Sequence, residues 1–257
     1  MKVTGNLPGS PCWTQLGTSD PQDAQRFYGE LFGWTAETDP NPAAGGYTIF
    51  SLDGSPAAAV SPLMDPNQPV SWVVSIATTD AEASAQAARK AGAQLWMGPL
   101  DVFDSGRWAM LSDPTGAPFG LWQAKDFTGF GVVNEPGAFG WIDLATRDVP
   151  GALRFYTEVF GWQTWPDDAY PMVGLADAMF GGAMEMGENY PAETPAHWSP
   201  YFVVADVDAT AAKARELGGE VLHEPEDMPG GNGPRLAFLR DPQGGAFGVF
   251  KPPAARQ

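Results

Sequence analysis

The chain has 257 residues, 44% hydrophobic and 12% aromatic, enough to bury one large core or two ordinary ones, so disorder is not the default reading. Its 31 acidic residues against 14 basic ones give a net charge of −17, a field that repels phosphate backbones and argues against a nucleic-acid partner. No apolar run approaches the roughly 20 residues that cross a bilayer, and the single cysteine, Cys12, excludes an internal disulfide and a cysteine-clustered metal site. The opening MKVTGNLPGSPC has one lysine and no apolar stretch, unlike a secretory signal. The expectation is a cytoplasmic protein with no membrane partner.

In chain order, CWTQLGTSD alternates as a strand does and runs into Asp20-Pro21, an N-cap followed by proline in the first helical turn. The helix continues through QDAQRFYGELF, where Ala24, Phe27, Tyr28, Leu31 and Phe32 recur at spacings of three and four on one face, and Gly33 is placed to end it. YTIFSLDG and SPAAAVSPL read as two short strands around an Asp-Gly turn. A further strand, SWVVSIATT, meets Asp80 as the N-cap of AEASAQAARKA, which Gly92 ends, and the strands QLWMGPLDVF, GRWAMLSD and APFGLWQA follow. Residues 126–137 read as a linker, and then the series starts again.

The restart is a duplication. RFYGELFGW at Arg26–Trp34 returns as RFYTEVFGW at Arg154–Trp162, identical at seven of nine positions and 128 residues later. At the same offset Trp13, Leu16, Thr18 and Asp20 match Trp141, Leu144, Thr146 and Asp148, and Arg107, Asp113, Gly116 and Gly120 match Arg235, Asp241, Gly244 and Gly248. Two domains of ordinary size follow, 10–125 and 138–251. Each divides again into strand, helix and two or three strands.

The combination W-x-x-L-x-T-x-D, F-Y-x-x-[LV]-F-G-W, an aspartate opening a second helix, and an arginine before D-P-x-G resembles the glyoxalase/bleomycin-resistance/extradiol-dioxygenase group, the vicinal oxygen chelate superfamily, over residues 10–251. The resemblance implies an α+β fold: four βαβββ modules forming two tandem domains whose curled, mostly antiparallel sheets make cups. Modules of such proteins pair within a domain or exchange between domains, and the sequence leaves both open. The two-domain form is similar to a subfamily from antibiotic-producing and related bacteria, often labelled hydroxylase or antigen.

Enzymes of that superfamily hold a divalent metal with a glutamine or histidine opening the first strand, a histidine before the second helix, and a glutamate after D-P-x-G. Carried onto this sequence, those positions are Trp13 and Trp141, Val74 and Pro200, and Gly120 and Gly248. The fourth lies in PAAAV, which has no donor, or in GGAMEMG, which has only Glu185. Indole, isopropyl, proline and glycine do not ligate a divalent ion through their side chains. The expectation is therefore no metal, no cofactor, and none of the metal-dependent glyoxalase or dioxygenase chemistry. His197 and His223 stand in the second half alone, without a matched partner at ligand spacing.

Residues two apart on a strand share a face. This places Trp13 and Gln15, Trp72 and Val74, and Gly120 and Trp122 in the first cup, and Trp141 and Asp143, Trp198 and Pro200, and Gly248 and Phe250 in the second. Such walls suit a flat aromatic ligand stacked on indole faces, unless the rings simply fill the space. Asp143 opposite Gln15 is the chief difference between the halves, and burial would raise its pKa toward that of a general base. Arg107 and Arg235 read as structural anchors. Two functions follow: a metal-free binder of a hydrophobic aromatic or polycyclic small molecule in antibiotic metabolism or resistance, or a cofactor-independent enzyme, hydroxylase or accessory oxygenase component, with Asp143 as its catalytic base. Two fused domains imitate a dimer, so the chain works as a monomer or a homodimer.

Overall fold

A computed structural model describes residues 1–167, 169–188, 190–228 and 233–253. The first module comprises β1 (Pro11–Thr18), α1 (Pro21–Phe32), β2 (Thr35–Thr38), β3 (Thr48–Leu52) and β4 (Ser55–Pro62). The second is β5 (Ser71–Ala77), α2 (Ala81–Lys90), β6 (Gln94–Val102), β7 (Gly106–Ser112) and β8 (Pro118–Ala124). The third is β9 (Phe139–Thr146), α3 (Val149–Phe160), β10 (Gln163–Trp165), β11 (Met172–Leu175) and β12 (Ala178–Glu185). The fourth is β13 (His197–Val203), α4 (Val207–Glu216), β14 (Glu220–Asp227), β15 (Arg235–Arg240) and β16 (Ala246–Lys251).

The helix starts follow from their caps. Asp20, Asp80, Asp148 and Asp206 accept from the backbone N–H three residues on, at 3.0, 3.0, 2.8 and 3.0 Å. Gly33 and Gly161 close α1 and α3 at φ 75° and 71°, a left-handed conformation that glycine adopts without Cβ strain.

Each domain is one eight-stranded sheet, ordered β2-β3-β4-β1-β5-β8-β7-β6 and β10-β11-β12-β9-β13-β16-β15-β14. Neighbours run antiparallel except β1–β4, β5–β8, β9–β12 and β13–β16. Antiparallel pairing of β1 with β5 joins the first two modules, and β9 with β13 joins the last two. The modules therefore pair within a domain rather than exchanging.

The duplicated helix joins the two domains. Tyr28 of α1 is fully buried, donates its hydroxyl to Asp241 Oδ2 at 2.8 Å, and accepts from Trp72 Nε1 at 3.2 Å. Its counterpart Tyr156 donates to Asp113 Oδ2 at 3.1 Å and accepts from Trp198 Nε1 at 2.7 Å. Each D-P-x-G aspartate thus does two jobs. Its other oxygen gathers the backbone N–H groups of its own turn, at Thr115 and Ala117 or at Gln243, Gly244 and Gly245. Burial raises the pKa of both carboxyl groups, and it holds both tyrosines well above their usual range, so they remain donors. Trp34 Nε1 donates to Gly137 O at 2.7 Å and Trp162 Nε1 to Gly9 O at 2.6 Å, completing the reciprocal arrangement. The F-Y-x-x-x-F-G-W sequence is written twice because each copy clasps the other domain.

Residues 126–137 do more than connect. Phe130 is buried, stacks on Phe139 at 4.5 Å, and lies 5.5 Å from Trp13. Phe127 meets the edge of Trp13 at 4.9 Å.

Candidate functional site

The registers set three side chains in a row across each sheet. In the first cup Trp13 is opposite Ser75, and Ser75 is beside Gly120. In the second Trp141 is opposite Tyr201, and Tyr201 is beside Gly248. Both glycines are covered by an aromatic ring, but from different strands. A Cβ on Gly120 would lie 2.9 Å from Trp108 Nε1 and run into Ser75 Oγ, whereas a Cβ on Gly248 would run into the Tyr201 ring. Leu236 occupies on β15 the place that Trp108 holds on β7, since Trp108 pairs with Trp122 and Leu236 with Phe250.

The first cup remains open. It encloses about 600 Å³, walled by Trp13, Gln15, Tyr47, Trp108, Trp122 and Phe127, and this volume falls within the range for small-molecule sites. Trp13 Nε1 donates to Tyr47 Oη at 2.8 Å, and Tyr47 donates to Gln15 Oε1 at 3.4 Å. Burial raises the Tyr47 pKa, so its hydroxyl stays protonated. Trp122 is fixed by its N–H to Phe127 O at 2.9 Å. Trp108 Nε1, in contrast, is buried with no hydrogen-bond partner.

The second cup repeats this triad with a carboxylate. Trp141 Nε1 donates to Tyr170 Oη at 2.7 Å and to Asp143 Oδ1 at 3.0 Å, and Tyr170 donates to Asp143. The Tyr201 hydroxyl also acts on this carboxyl group. Asp143 is buried, which raises its pKa to about 6 against the opposing pull of Tyr170, Tyr201 and Trp141. A Cβ on Gly182 would run into the Tyr170 ring. Tyrosines thus enter the space left by both glycines. With Trp141 and Tyr170 already donating to it, Asp143 is engaged as an acceptor before any substrate arrives. Phe250 lies across Gly140 at the bulge where β9 and β13 shift register.

Several expected residues come together and several do not. Trp13, Gln15 and Trp122 face the first cavity, with Gly120 beneath it, and Trp141, Asp143, Gly248 and Phe250 belong to the second cup. Trp72 and Trp198 are corrections: both indoles bond the clasp tyrosines, and Trp72 packs on Phe202 at 5.5 Å in the seam between domains. Val74 and Pro200 share their parity and turn away with them, leaving Val73 and Ser75 on the cavity side. The sequence reading missed Tyr47, Ser75, Trp108 and Phe127, and in the other half Tyr170 and Tyr201. Aligning Tyr47 and Tyr170, each shortly before the third strand of its module, would have found the triads. Arg235 does anchor, with two bonds of 2.7 Å to Asp208, and Arg107 lies 3.7 Å from Asp101. His197 rests on Pro195 O at 2.9 Å and His223 on Glu226 at 2.8 Å, both apart from the cup floor.

The sequence pattern of the glyoxalase-like domain matches residues 13–122 and again 141–250, the two halves of this duplicated architecture. The chain belongs to the glyoxalase-like domain family. Within this glyoxalase-like family, "Putative glyoxylase CFP32" of Mycobacterium tuberculosis is 40% identical over 254 residues, covering 95% of each chain. "Anthracycline biosynthesis protein DauV" of Streptomyces sp. is 38% identical over 269 residues, covering 97% of this chain and 95% of that one. Among solved structures, the Mn(II)-bound glyoxalase from Novosphingobium aromaticivorans superposes with a TM-score of 0.68 at 14% identity, over 95% of this chain and 82% of that one. The 2,3-dioxygenase LapB from Pseudomonas sp. superposes at 0.69 and 14%, over 99% and 95%. At that identity the superpositions establish the fold alone.

The divalent metal that the fold family implies does not fit this glyoxalase-like chain. Its row of Trp13, Ser75 and Gly120 offers an indole, a hydroxyl and no side chain, and the row of Trp141, Tyr201 and Gly248 is no better. Among the described residues no three His, Cys, Asp or Glu side chains gather where an ion could sit. Among the described residues, too, no helix is long and apolar enough to cross a membrane.

Proposed function

We propose that this protein is a metal-free small-molecule binder whose first cup takes a flat aromatic or polycyclic ligand, in the metabolism of, or resistance to, such compounds. One observation carries the reading: an open cavity of about 600 Å³ walled by three indoles, where the row of strand positions offers no metal donor. The similarity to a protein of anthracycline biosynthesis supports a polycyclic ligand. We assign binding to the first cup and not the second, where the Tyr201 ring takes the place of Ser75 and Leu236 that of the Trp108 indole.

Titrating tryptophan fluorescence with a panel of polycyclic aromatics, with and without chelator, tests the reading. Saturable quenching that survives chelation is expected. No saturable quenching by any member of the panel would refute it.

A second reading, a cofactor-independent enzyme with Asp143 as base, is favoured by the pKa of about 6 that burial imposes there. It requires a chelator-resistant turnover of such a compound that Asp143→Asn lowers by about two orders of magnitude or more. Unchanged turnover in that variant would remove Asp143 from the mechanism.

A further inference from the structure

The polar groups of the first cavity are sorted by depth and by sign. On the floor, the buried Trp108 N–H has no acceptor. It lies 2.9 Å from where a Cβ on Gly120 would stand, with Ser75 Oγ closer still, so the two donors sit side by side over that glycine. A buried donor without a partner keeps its full desolvation cost, and an acceptor oxygen seated beside it removes that cost. Among the described residues that wall the cavity there is no Lys, Arg or His. The charges present are two carboxylates, Asp39 after the edge strand β2 and Asp101 on the opposite edge strand β6.

The two carboxylates are unequal. Asp101 is engaged by Lys125 at 3.0 Å and by Arg107 at 3.7 Å, and the Lys125 hydrogen bond holds its carboxyl below the usual range. Asp39 is exposed and accepts from the backbone N–H of Asn41 at 2.8 Å. Among the described residues no cation lies within 4.0 Å of it. With a net charge of −17 behind it, this rim draws cations and repels anions.

We propose that the ligand of the first cup is a flat molecule with two polar ends, entering acceptor-first: a ring carbonyl meets Trp108 Nε1 and Ser75 Oγ, and an ammonium group stays at the rim against Asp39. The proposal rests on the reading of this cup as a binding site and adds the chemistry and direction of its ligand. Anionic aromatics of the same size are rejected by the rim, and aromatics without a carbonyl leave the Trp108 N–H unmet.

Three probes separate these terms: an aminomethyl anthraquinone, an anthraquinone sulfonate and an aminomethyl anthracene, each titrated by calorimetry. The amino quinone is expected to bind most tightly, about tenfold better than the sulfonate at low salt, with the gap narrowing as salt is raised. It should beat the anthracene amine about fivefold, as for one restored hydrogen bond to a buried donor. Asp39→Asn should weaken the two amines about threefold and leave the sulfonate unchanged or improved. Trp108→Phe should erase the preference for quinone over anthracene, the amino quinone losing about fivefold more affinity than the anthracene amine. Equal binding of all three probes, or an equal loss for both amines in Trp108→Phe, would overturn the orientation and leave the binding site standing. No binding by any probe would overturn both.

Discussion

Replacing Asp143 by asparagine should change how stability depends on pH, in a direction set by the second cup. Burial raises the carboxyl group from 3.8 to about 6, so between those values the folded chain holds this proton while the unfolded chain has released it. A raised carboxyl pKa means stability that is fully present below the unfolded value and lost as pH climbs through about 6. Two powers of ten in proton affinity correspond to about 3 kcal/mol, the cost of keeping the ionised group in its tyrosine cage. The amide of the Asp143→Asn variant keeps an oxygen to accept from Trp141 and Tyr170 but carries no charge at any pH. Urea unfolding of both proteins at pH 4, 6 and 8 is the assay. At pH 4 the two should match closely, and by pH 8 Asp143→Asn should be the more stable by about 2–3 kcal/mol. Parallel profiles across that range, or a variant less stable than the parent at pH 8, would refute the buried-carboxylate reasoning.

Tyr28→Phe takes a donor from buried Asp241 and an acceptor from buried Trp72, so it should cost about 2–3 kcal/mol in unfolding free energy, and Tyr156→Phe should cost the same. Gly120→Ala drives a methyl group into Ser75 and Trp108, so quenching titrations should find ligand affinity lowered about tenfold, with about 1–3 kcal/mol lost in stability. Tyr201→Ser with Leu236→Trp puts into the second cup the residues that flank Gly120 in the first, and the doubled variant should titrate with a second, weaker ligand site.

The duplication, the four aspartate N-caps and the glycines that end α1 and α3 were legible because each is a local signal of backbone chemistry. The parity of Trp72 and Trp198 was not. β5 and β13 are buried on both faces, since one lines a cup and the other meets the partner domain, so apolar alternation carries no sign. A shift of one residue exchanges the faces, and only pairing with β1 and β9 settles which is which. Counting from ligand positions also overlooked Trp108, because its ring comes from β7 to cover a glycine on β8. Phe127 was hidden by its place in a segment that reads as a connector. Asp143 was visible as a difference between the halves, but of its donors Trp141 and Tyr170, the tyrosine lies on a segment remote in sequence.

Calorimetry with an anthraquinone ligand in excess chelator, on the native chain and on Ser75→Tyr/Trp108→Leu, bears most directly on the assignment of the first cup. That pair of substitutions gives the first cup the tyrosine that covers Gly248 in the second and the leucine that stands there in place of Trp108, while the clasp between domains is left alone. The account predicts one ligand per native chain and none in the variant, with both proteins melting cooperatively. Undiminished binding in the variant, or binding to the native chain that vanishes when metal is chelated, would contradict it.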